Sequence, residues 1–280
     1  MNCLLVINRL SGNASKIREE SLLRKYAPQD VVSVKYIEDA ADTYSVDGID
    51  KLILCGGDGT LNHALRLCRD KDIDVYYLPC GTFNETAKGR HGSGTVPLAK
   101  IGRLQDTDFS YVAAAGSFTN LGQAAAPCAK KRFKLLAYFA KVLSAYKVHR
   151  IRASIQTEKV KTEGVYTLLM VSNAKRCFGF RFNRLHKKQP DALQLIAIKA
   201  PKKDDLWGRI KMFFPFFRIF FLGFSKEHFG KTILVTSFRE GTLTLFDKTP
   251  FCLDGESALL FGKNALTKSK GKARLFLIKE

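Results

Sequence analysis

The chain has 280 residues, of which 46% are hydrophobic, and its 46 Lys and Arg residues against 26 Asp and Glu residues give a formal net charge of +20 at pH 7. This apolar content is enough for one large domain or two modest ones, and the positive charge favours anionic partners such as nucleic acid, acidic lipid headgroups or phosphorylated small molecules. The seven cysteines form no CxxC pair and the five histidines share no ligand spacing, which argues against a disulfide framework and a zinc site.

Two targeting features are not expected from the sequence. The opening residues MNCLLVINRLSGN lack a basic leader, so we predict no signal peptide. No run of about 18 uncharged apolar residues exists, so we predict no membrane-spanning helix. Together with cysteines placed in apolar strands, this favours a cytoplasmic protein with reduced thiols.

The first 90 residues repeat the order of apolar strand, polar glycine turn and helix. This alternation predicts a parallel sheet with helices on both faces. In such a sheet the turns that follow the strands gather at one edge, so we expect Ser11-Gly12, Gly56–Thr60 and Gly81-Thr82-x-Asn84 to meet in one cleft. Three ordinary turns without a ligand are the alternative. The predicted strands are Cys3–Asn8, Val31–Ile37, Lys51–Cys55 and Asp74–Leu78, and helices are predicted up to about Lys25, at Leu61–Cys68 and near Glu85–Lys88.

The turn Gly56–Thr60, with the sequence GGDGT, carries the strongest chemical signal. Its three glycines let the backbone approach a bulky anion, and the helix that follows adds its positive N-terminus. A carboxylate at this place would repel phosphate, so Asp58 fits best if it faces a cation held by that phosphate. The spacing is neither that of a Walker loop nor that of the dinucleotide fingerprint. The turn therefore favours a metal-bridged nucleotide site over a tight turn without a ligand.

After about Thr107 the sequence changes to many short strands separated by turns, which predict a β-sandwich or an open barrel. We therefore place an α/β domain at residues 1–107 and a β-sandwich domain at residues 108–280, with room for the last few residues to return to the first domain. The predicted elements are strands at Phe109–Ala115, Phe118–Ala126, Ile151–Ile155, Val165–Val171, Leu193–Ile198, Thr232–Phe238, Thr242–Phe246, Ala258–Phe261 and Ala273–Ile278, and an amphipathic helix at Phe133–Lys147.

The segment Leu206–Phe224 is rich in phenylalanine, holds the only tryptophan, and has Arg209, Lys211 and Arg218 interspersed. Aromatic bulk with basic residues is typical of a segment that lies in the headgroup region of an anionic membrane. A helix packed under the sandwich is the alternative.

Two acidic residues of the second half are candidates for chemistry. Asp254 stands in an Asp-Gly pair, which is a strong hairpin signal, and is also a candidate to accept the proton of an alcohol in phosphoryl transfer. Asp191, beside free carbonyl groups, could hold a hard cation, although a polar turn before a strand also explains it.

Four motifs follow one another along the chain: Ile7-Asn8 through Ser11-Gly12, Gly56-Gly57-Asp58-Gly59-Thr60-Leu61-Asn62, Leu78-Pro79-Cys80-Gly81-Thr82-Phe83-Asn84 and Leu253-Asp254-Gly255-Glu256. In this order they resemble the catalytic family of the diacylglycerol kinases, in particular its soluble bacterial lipid kinases, which are related to the sphingosine kinases. The resemblance implies a nucleotide-binding α/β domain, a lipid-binding β-sandwich domain and an active site in the cleft between them. It also implies ATP and Mg²⁺ as cofactors and phosphoryl transfer to a lipid alcohol, with diacylglycerol giving phosphatidic acid in phospholipid biosynthesis.

Residue roles follow from this resemblance by position. It implies that Asp254 is the general base, with Asp108 as an electrostatic neighbour, and that Asp58 reaches the nucleotide-bound Mg²⁺ through water. A structural Mg²⁺ is implied at Lys188, Asp191 and Leu193. The implied nucleotide contacts are Asn8, Ser11, Gly12, Gly56, Gly57, Asp58, Gly59, Thr60, Gly81, Thr82, Asn84 and Glu256.

The chain departs from the family pattern at several positions, and these changes weaken the implied phosphate contacts and the second metal. The GGDGT turn and Asp254 are kept, so we expect an active enzyme. The departures are Arg9 in place of Pro, Asn13 in place of a basic residue, Phe83 and Glu85 around Asn84, Lys88 in place of Arg, and Ala192 in place of Gly.

Two other functions fit parts of the sequence. A kinase of the NAD kinase type also carries GGDGT, and a non-catalytic protein could bind anionic lipid or nucleic acid by charge alone. The aromatic and basic segment favours the lipid kinase, because a soluble dinucleotide does not require it. The expected partners are a lipid alcohol and the anionic inner face of a membrane, with no nucleic acid, and a homodimer is left open.

Overall fold

The computed structural model describes residues 1–81, 84, 86–87, 95–97, 101–116, 148–177, 181–268 and 272–279. The chain divides into two compact units, Met1–Ile101 with Ser269–Glu280, and Gly102–Lys268. The predicted strand at 118–126 and the predicted helix at 133–147 lie outside the described residues. Of the predicted helix at 85–88, residues 86 and 87 are described, and both are helical.

The first unit is built on a six-stranded sheet. Its elements are β1 (Asn2–Asn8), a short 3-10 helix (Ala14–Lys16), α1 (Glu19–Tyr26), β2 (Val31–Ile37), β3 (Lys51–Gly56), α2 (Asp58–Cys68), β4 (Asp74–Pro79), β5 (Thr95–Pro97) and β16 (Arg274–Leu277). The strand order is β2-β1-β3-β4-β16-β5, and every neighbouring pair is parallel except β16 with β5. The predicted parallel α/β sheet is therefore confirmed.

The central strand β3 explains why the sheet forms where it does. Its residues Leu52–Cys55 are fully buried, as expected for a parallel strand that is covered on both faces. One cover is α2, whose spacing of three and four residues turns a single apolar stripe toward the sheet. The buried residues of that stripe are Leu61, Ala64, Leu65 and Cys68.

The strand register places three strand ends side by side. Ile7 of β1 pairs with Cys55 of β3, and Gly56 at the end of β3 pairs with Pro79 at the end of β4. The turns that follow β1, β3 and β4 therefore leave the sheet from the same edge.

The second unit is rich in strands, and its described residues contain ten of them. Its elements are β6 (Gly102–Leu104), β7 (Thr107–Phe109), β8 (Val112–Gly116), β9 (Ile151–Thr157), β10 (Lys161–Ser172), α3 (Leu185–Lys188), β11 (Leu193–Lys199), α4 (Leu206–Phe217), a π-helical turn (Arg218–Leu222), β12 (His228–Phe229), β13 (Ile233–Phe238), β14 (Glu240–Leu253) and β15 (Glu256–Lys268). The predicted change from an α/β region to a sheet-rich region is therefore confirmed.

The long strands β10 and β14 organise this second sheet. Both strands pair with β9 through their first halves and with β8 through their second halves, so that the sheet closes around an apolar core. A second core lies on the other face of the sheet, where α4 and the π-helical turn cover it. The predicted segment Leu206–Phe224 therefore includes a helix that packs on a sheet.

The last predicted strand has its partners in the first unit. β16, predicted as Ala273–Ile278 after a series of strands of the second half, lies parallel to β4 in the first sheet. The predicted boundary at residue 107 falls in the β6–β7 hairpin, and the second unit begins at Gly102. Across the described part of the chain, the helices are too short or too polar to cross a bilayer.

Candidate active site

The structure brings together the three turns at the carboxyl edge of the first sheet. Nδ2 of Asn8, at the end of β1, donates a hydrogen bond of 2.8 Å to Oγ1 of Thr60. The N–H of Asn13 donates to the carbonyl oxygen of Cys80 at 3.0 Å, and the N–H of Cys80 donates to the carbonyl oxygen of Gly56 at 2.7 Å. Each turn is thus tied to a neighbour by a direct hydrogen bond.

Two of these turns touch through glycine backbones. A Cβ added to Gly81 would lie 2.6 Å from the Cα of Gly57, and a Cβ added to Gly57 would lie 3.3 Å from the Cα of Gly81. A Cβ on Gly56 would likewise lie 2.5 Å from the Cβ of Thr60. Gly81 and Gly56 therefore cannot carry a side chain unless a neighbour shifts, whether or not a ligand binds, whereas a Cβ at Gly57 would make a tight contact that a small adjustment relieves.

Gly59 is different from the other glycines of the turn. It is exposed in the first turn of α2, and apart from its two chain neighbours and the backbone of its own helix no described atom lies within 4 Å of the place that a Cβ would occupy. The first N–H groups of a helix have no partner inside the helix, and they carry the positive end of the helix dipole. The open space beside Gly59 is therefore suited to an anion such as a phosphate.

Asp58 is the first residue of α2 and is half-buried. Its Oδ1 accepts a hydrogen bond of 3.0 Å from the N–H of Thr86, so this carboxylate also fixes the segment that follows β4. The hydroxyl of Tyr77 donates to the carbonyl oxygen of Gly56 at 3.2 Å beneath the turn. Burial, with a smaller contribution from the negative charge of Asp58, raises the pKa of Tyr77. Tyr77 and Thr86 stand in no recognisable motif, so their supporting roles could not be predicted from the sequence.

Of the other residues predicted at this edge, Asn84 and Ser11 form hydrogen bonds within their own turns. Asn84 has a positive φ of 48°, and its side chain accepts from the N–H of Gly81 at 2.9 Å and donates to the carbonyl oxygen of Gly81 at 2.8 Å. The N–H of Ser11 donates to the carbonyl oxygen of Asn8, and Gly12 is exposed. Thr82 lies outside the described residues.

Asp254 lies in the second unit, at the tip of the β14–β15 hairpin. Asp254 and Gly255 form its two-residue turn with φ values of 52° and 102°, as a type I′ turn requires. The hairpin interpretation of the Asp-Gly pair is therefore correct. The side chain is nevertheless turned inward, and Asp254 is only 7% exposed.

The carboxylate of Asp254 is held by the chain between β7 and β8. Its Oδ2 accepts from the N–H of Ser110 and from Oγ of Ser110 at 2.8 Å, while its Oδ1 accepts from the N–H of Tyr111 at 3.1 Å and of Val112 at 2.8 Å. Burial raises the pKa of Asp254 to about 6, and these hydrogen bonds oppose that increase because they favour the ionised form. The carboxyl group therefore changes its charge near neutral pH, where a general base operates.

Asp108 and Glu256, which were predicted to act near Asp254, lie in environments that differ from that of the buried Asp254 carboxylate. Asp108 is buried in β7, and its Oδ1 accepts from Nε of Arg103 at 2.8 Å across the β6–β7 hairpin. Glu256 begins β15 and is exposed. An electrostatic role of Asp108 beside Asp254 and a nucleotide contact of Glu256 remain predictions.

The positions of the implied structural metal lie between α3 and β11. Lys188 ends α3 and is exposed, Asp191 is exposed in the loop, and Leu193 begins β11 and is buried. Nε2 of Gln194 donates to the carbonyl oxygen of Ala192 at 2.8 Å, so a backbone oxygen of this loop already has a partner. A search of the described residues for three or more grouped His, Cys, Asp or Glu side chains finds none, and a metal here remains a prediction.

Comparison with known proteins links this geometry to a family. Residues 2–109, which include all three turns of the first unit, match the model of the diacylglycerol kinase catalytic domain. The predicted resemblance is therefore confirmed over these residues. No curated protein sequence matches the chain.

Solved structures share the fold over nearly the whole chain. A diacylglycerol kinase from Bacillus anthracis str. Sterne has a TM-score of 0.62 at 13% identity, with 99% of this chain and 97% of that chain covered. A putative diacylglycerol kinase from the same organism has a TM-score of 0.63 at 14% identity over the same shares. An NAD kinase from Archaeoglobus fulgidus, solved in complex with ATP, has a TM-score of 0.50 at 16% identity and covers 99% of this chain and 93% of its own. At sequence identities of 13–16%, these structural similarities establish the fold of the chain.

Proposed function

We propose, because residues 2–109 match the model of the diacylglycerol kinase catalytic domain, that the protein transfers the γ-phosphate of ATP to the hydroxyl group of a lipid alcohol. Diacylglycerol, giving phosphatidic acid, is the first acceptor to test. The observation that carries the proposal is the gathering of three turns at the start of α2, all inside the matched residues.

The first unit is suited to hold the phosphates of ATP. The close approach of Gly57 and Gly81 keeps these two turns free of bulky side chains where they meet, and Gly59 leaves open space in the first turn of α2, where the first N–H groups of the helix lie. Backbone N–H groups and the helix dipole together favour a polyphosphate at this place. Asn8 supports the arrangement through its hydrogen bond to Thr60.

The residues of this edge fit a Mg²⁺ ion that arrives with ATP. Asp58 supplies one carboxylate there, and a cage made of protein ligands alone is not found among the described residues. Mg²⁺ is usually bound through one or two carboxylates, phosphate oxygens and water, so Asp58 would hold it together with ATP. The bound ion would neutralise charge on the phosphates.

Asp254 is suited to accept the proton of the lipid alcohol. A carboxylate offers about four lone-pair positions, and three of those on Asp254 are taken by backbone N–H groups that cannot move away. The fourth donor is the hydroxyl of Ser110, which can turn away by rotation about its χ1 angle. We infer that the alcohol of the substrate takes the position of this hydroxyl, and that the reaction brings that alcohol to the γ-phosphate.

A phosphate-transfer assay separates the candidate functions. Purified protein is incubated with γ-labelled ATP and Mg²⁺, with diacylglycerol in mixed micelles in one sample and NAD in the other. The proposal predicts labelled lipid and unlabelled NAD. Labelled NAD would instead favour a soluble-substrate kinase, a candidate supported by the fold shared with the Archaeoglobus NAD kinase. Failure of the protein to bind ATP would contradict both and favour a non-catalytic binder of anions.

A further inference from the structure

The helical segment Leu206–Leu222, formed by α4 and the π-helical turn, has two different faces. One face packs on the sheet of the second unit, where Met212, Phe216, Ile219 and Phe220 are buried. The helix start is fixed by Asp205, whose side chain accepts from the N–H of Gly208 at 2.7 Å. The segment is therefore held firmly and presents its other face in a fixed orientation.

The opposite face, which we name the aromatic face, is apolar yet exposed. Trp207 is 69% exposed, Phe214 68%, Leu222 58% and Ile210 43%. Trp207, Ile210 and Phe214 follow one another at three and four residues and so share one side of α4. Leu222 is exposed beyond them, at the end of the π-helical turn. An exposed row of large apolar side chains leaves surface in water that a partner could bury.

Two cations lie among these apolar side chains. Lys211 and Arg218 are exposed and follow the same spacing, so they share the aromatic face. The apolar groove of a protein partner would have to remove both charges from water, which is costly. At a bilayer surface the rings reach the acyl boundary while the long basic side chains extend to the lipid phosphates.

A cavity of about 320 Å³ adjoins the end of the aromatic face and is lined by Arg218, Ser225, Lys226 and His228, among others. Its one acidic lining residue, Glu227, accepts from Nζ of Lys159 at 2.7 Å. The cavity thus adds positive charge and hydrogen-bond donors beside the aromatic face, as an anionic headgroup requires.

We propose that the aromatic face docks the protein on the surface of an anionic phospholipid bilayer. The net charge of +20 complements such a surface. The inference rests on the proposed function, because a lipid alcohol is found in the bilayer. Docking itself requires neither ATP nor turnover.

Trp207 is the only tryptophan of the chain and therefore reports on this face directly. The full chain is mixed with vesicles of phosphatidylcholine and phosphatidylglycerol in equal parts, and tryptophan emission and co-sedimentation are recorded. We expect a blue shift and quenching by lipids brominated on their acyl chains. Emission that is the same with and without vesicles would overturn the proposal.

Substitutions test which surface binds. Phe214→Ser with Leu222→Ser should weaken vesicle binding by about tenfold or more, because both side chains lose their apolar contact with lipid. Lys211→Glu and Arg218→Glu should each weaken binding by about fivefold or more. Thermal unfolding of each variant verifies that the fold is intact.

The matched control removes two equally exposed apolar residues elsewhere. Leu259 and Phe261 of β15 are 66% and 62% exposed, and Leu259→Ser with Phe261→Ser should leave vesicle binding unchanged. Loss of binding in this control, with binding kept in the Phe214 and Leu222 variant, would overturn the proposal.

The two proposals fail in different ways. If vesicles bind through the aromatic face but no lipid is phosphorylated in any assay, the proposed function is wrong and the docking surface stands. If lipid is phosphorylated in micelles but the aromatic-face variants bind vesicles as the wild type does, the docking inference alone is wrong.

Discussion

In the first unit, the candidate site combines backbone with the carboxylate of Asp58: Gly57 and Gly81 touch, and Gly59 leaves open space in the first turn of α2. In the second unit, the candidate group is one buried side chain, Asp254, which the chain at residues 110–112 holds with four hydrogen bonds. The first arrangement suits the binding of a charged ligand without chemical change. The second arrangement suits the uptake of a proton, because burial brings the pKa of Asp254 to about 6.

From this contrast we infer that ATP binding and proton transfer depend on different parts of the chain. If the comparison is right, substitutions in the first unit should change ATP affinity, and substitutions at Asp254 should change turnover.

The largest effect is expected for Asp254→Asn. Turnover should fall by about 10²–10⁴-fold, because the amide cannot accept the proton of the alcohol. The amide NH₂ would also face fixed N–H donors, so the free energy of unfolding should fall by about 1–3 kcal/mol. Steady-state turnover and urea denaturation measure the two effects, and turnover near the wild-type rate would show that Asp254 is only structural.

The pH dependence should separate activity from stability. Below about pH 6 turnover should fall by about tenfold per pH unit, because Asp254 becomes protonated. Stability should change in the opposite direction: the folded pKa is raised above the ordinary value of 3.8, so the contribution of Asp254 to stability is present below that value and is lost as the pH rises through about 6. Turnover and thermal unfolding are recorded over this range, with Asp254→Asn as the control that should lose both dependences.

Two glycine substitutions sharpen the description of the first unit. Gly81→Ala should destabilise the protein by about 1–3 kcal/mol, because its Cβ would lie 2.6 Å from the Cα of Gly57 and force the turns apart. Gly59→Ala, the matched control, should leave stability equal or raise it by about 0.5–1 kcal/mol, since alanine favours the helix. Its methyl group should nevertheless lower the affinity for ATP, which calorimetry measures. Unchanged ATP affinity in Gly59→Ala would place the phosphates elsewhere.

The smallest effect is expected for Ser110→Ala. The backbone N–H of residue 110 remains, so the carboxylate of Asp254 loses only one donor and stability should fall by about 0.5–1.5 kcal/mol. Turnover should stay within about threefold of the wild type, because the substrate alcohol takes the vacated position. A loss of turnover as large as that of Asp254→Asn would show that the hydroxyl of Ser110 relays the proton.

The sequence predicted the first unit well because its signals are local. The bounds of β2 agree with the predicted strand Val31–Ile37, and β3 is one residue longer than predicted. A buried parallel strand is a continuous apolar run that ends at glycine, so both the strand and the turn that follows it are visible in a few residues. The gathering of the three turns then follows from the rule that parallel strands end at the same edge.

Features that depend on distant residues could not be predicted in the same way. The pattern of Ala273–Ile278 indicated a strand, and a return of the last few residues to the first domain was left open, but the pairing of this strand with β4, about 200 residues earlier in the chain, was not predicted. The pattern at Thr242–Phe246 identified part of β14, whose alternation is interrupted by the register shift between Leu245 and Thr249. Asp254 was identified as a candidate in the Asp-Gly pair and by family resemblance, but Ser110, which lies 144 residues away and carries no motif, was not.

The most direct test of the separation between the two units is calorimetric titration of ATP, with Mg²⁺ present, into Asp254→Asn. The account predicts that this variant binds ATP within about threefold of the wild-type affinity while it fails to phosphorylate lipid. A folded Asp254→Asn protein that no longer binds ATP would contradict the account, because proton transfer and phosphate binding would then depend on the same group.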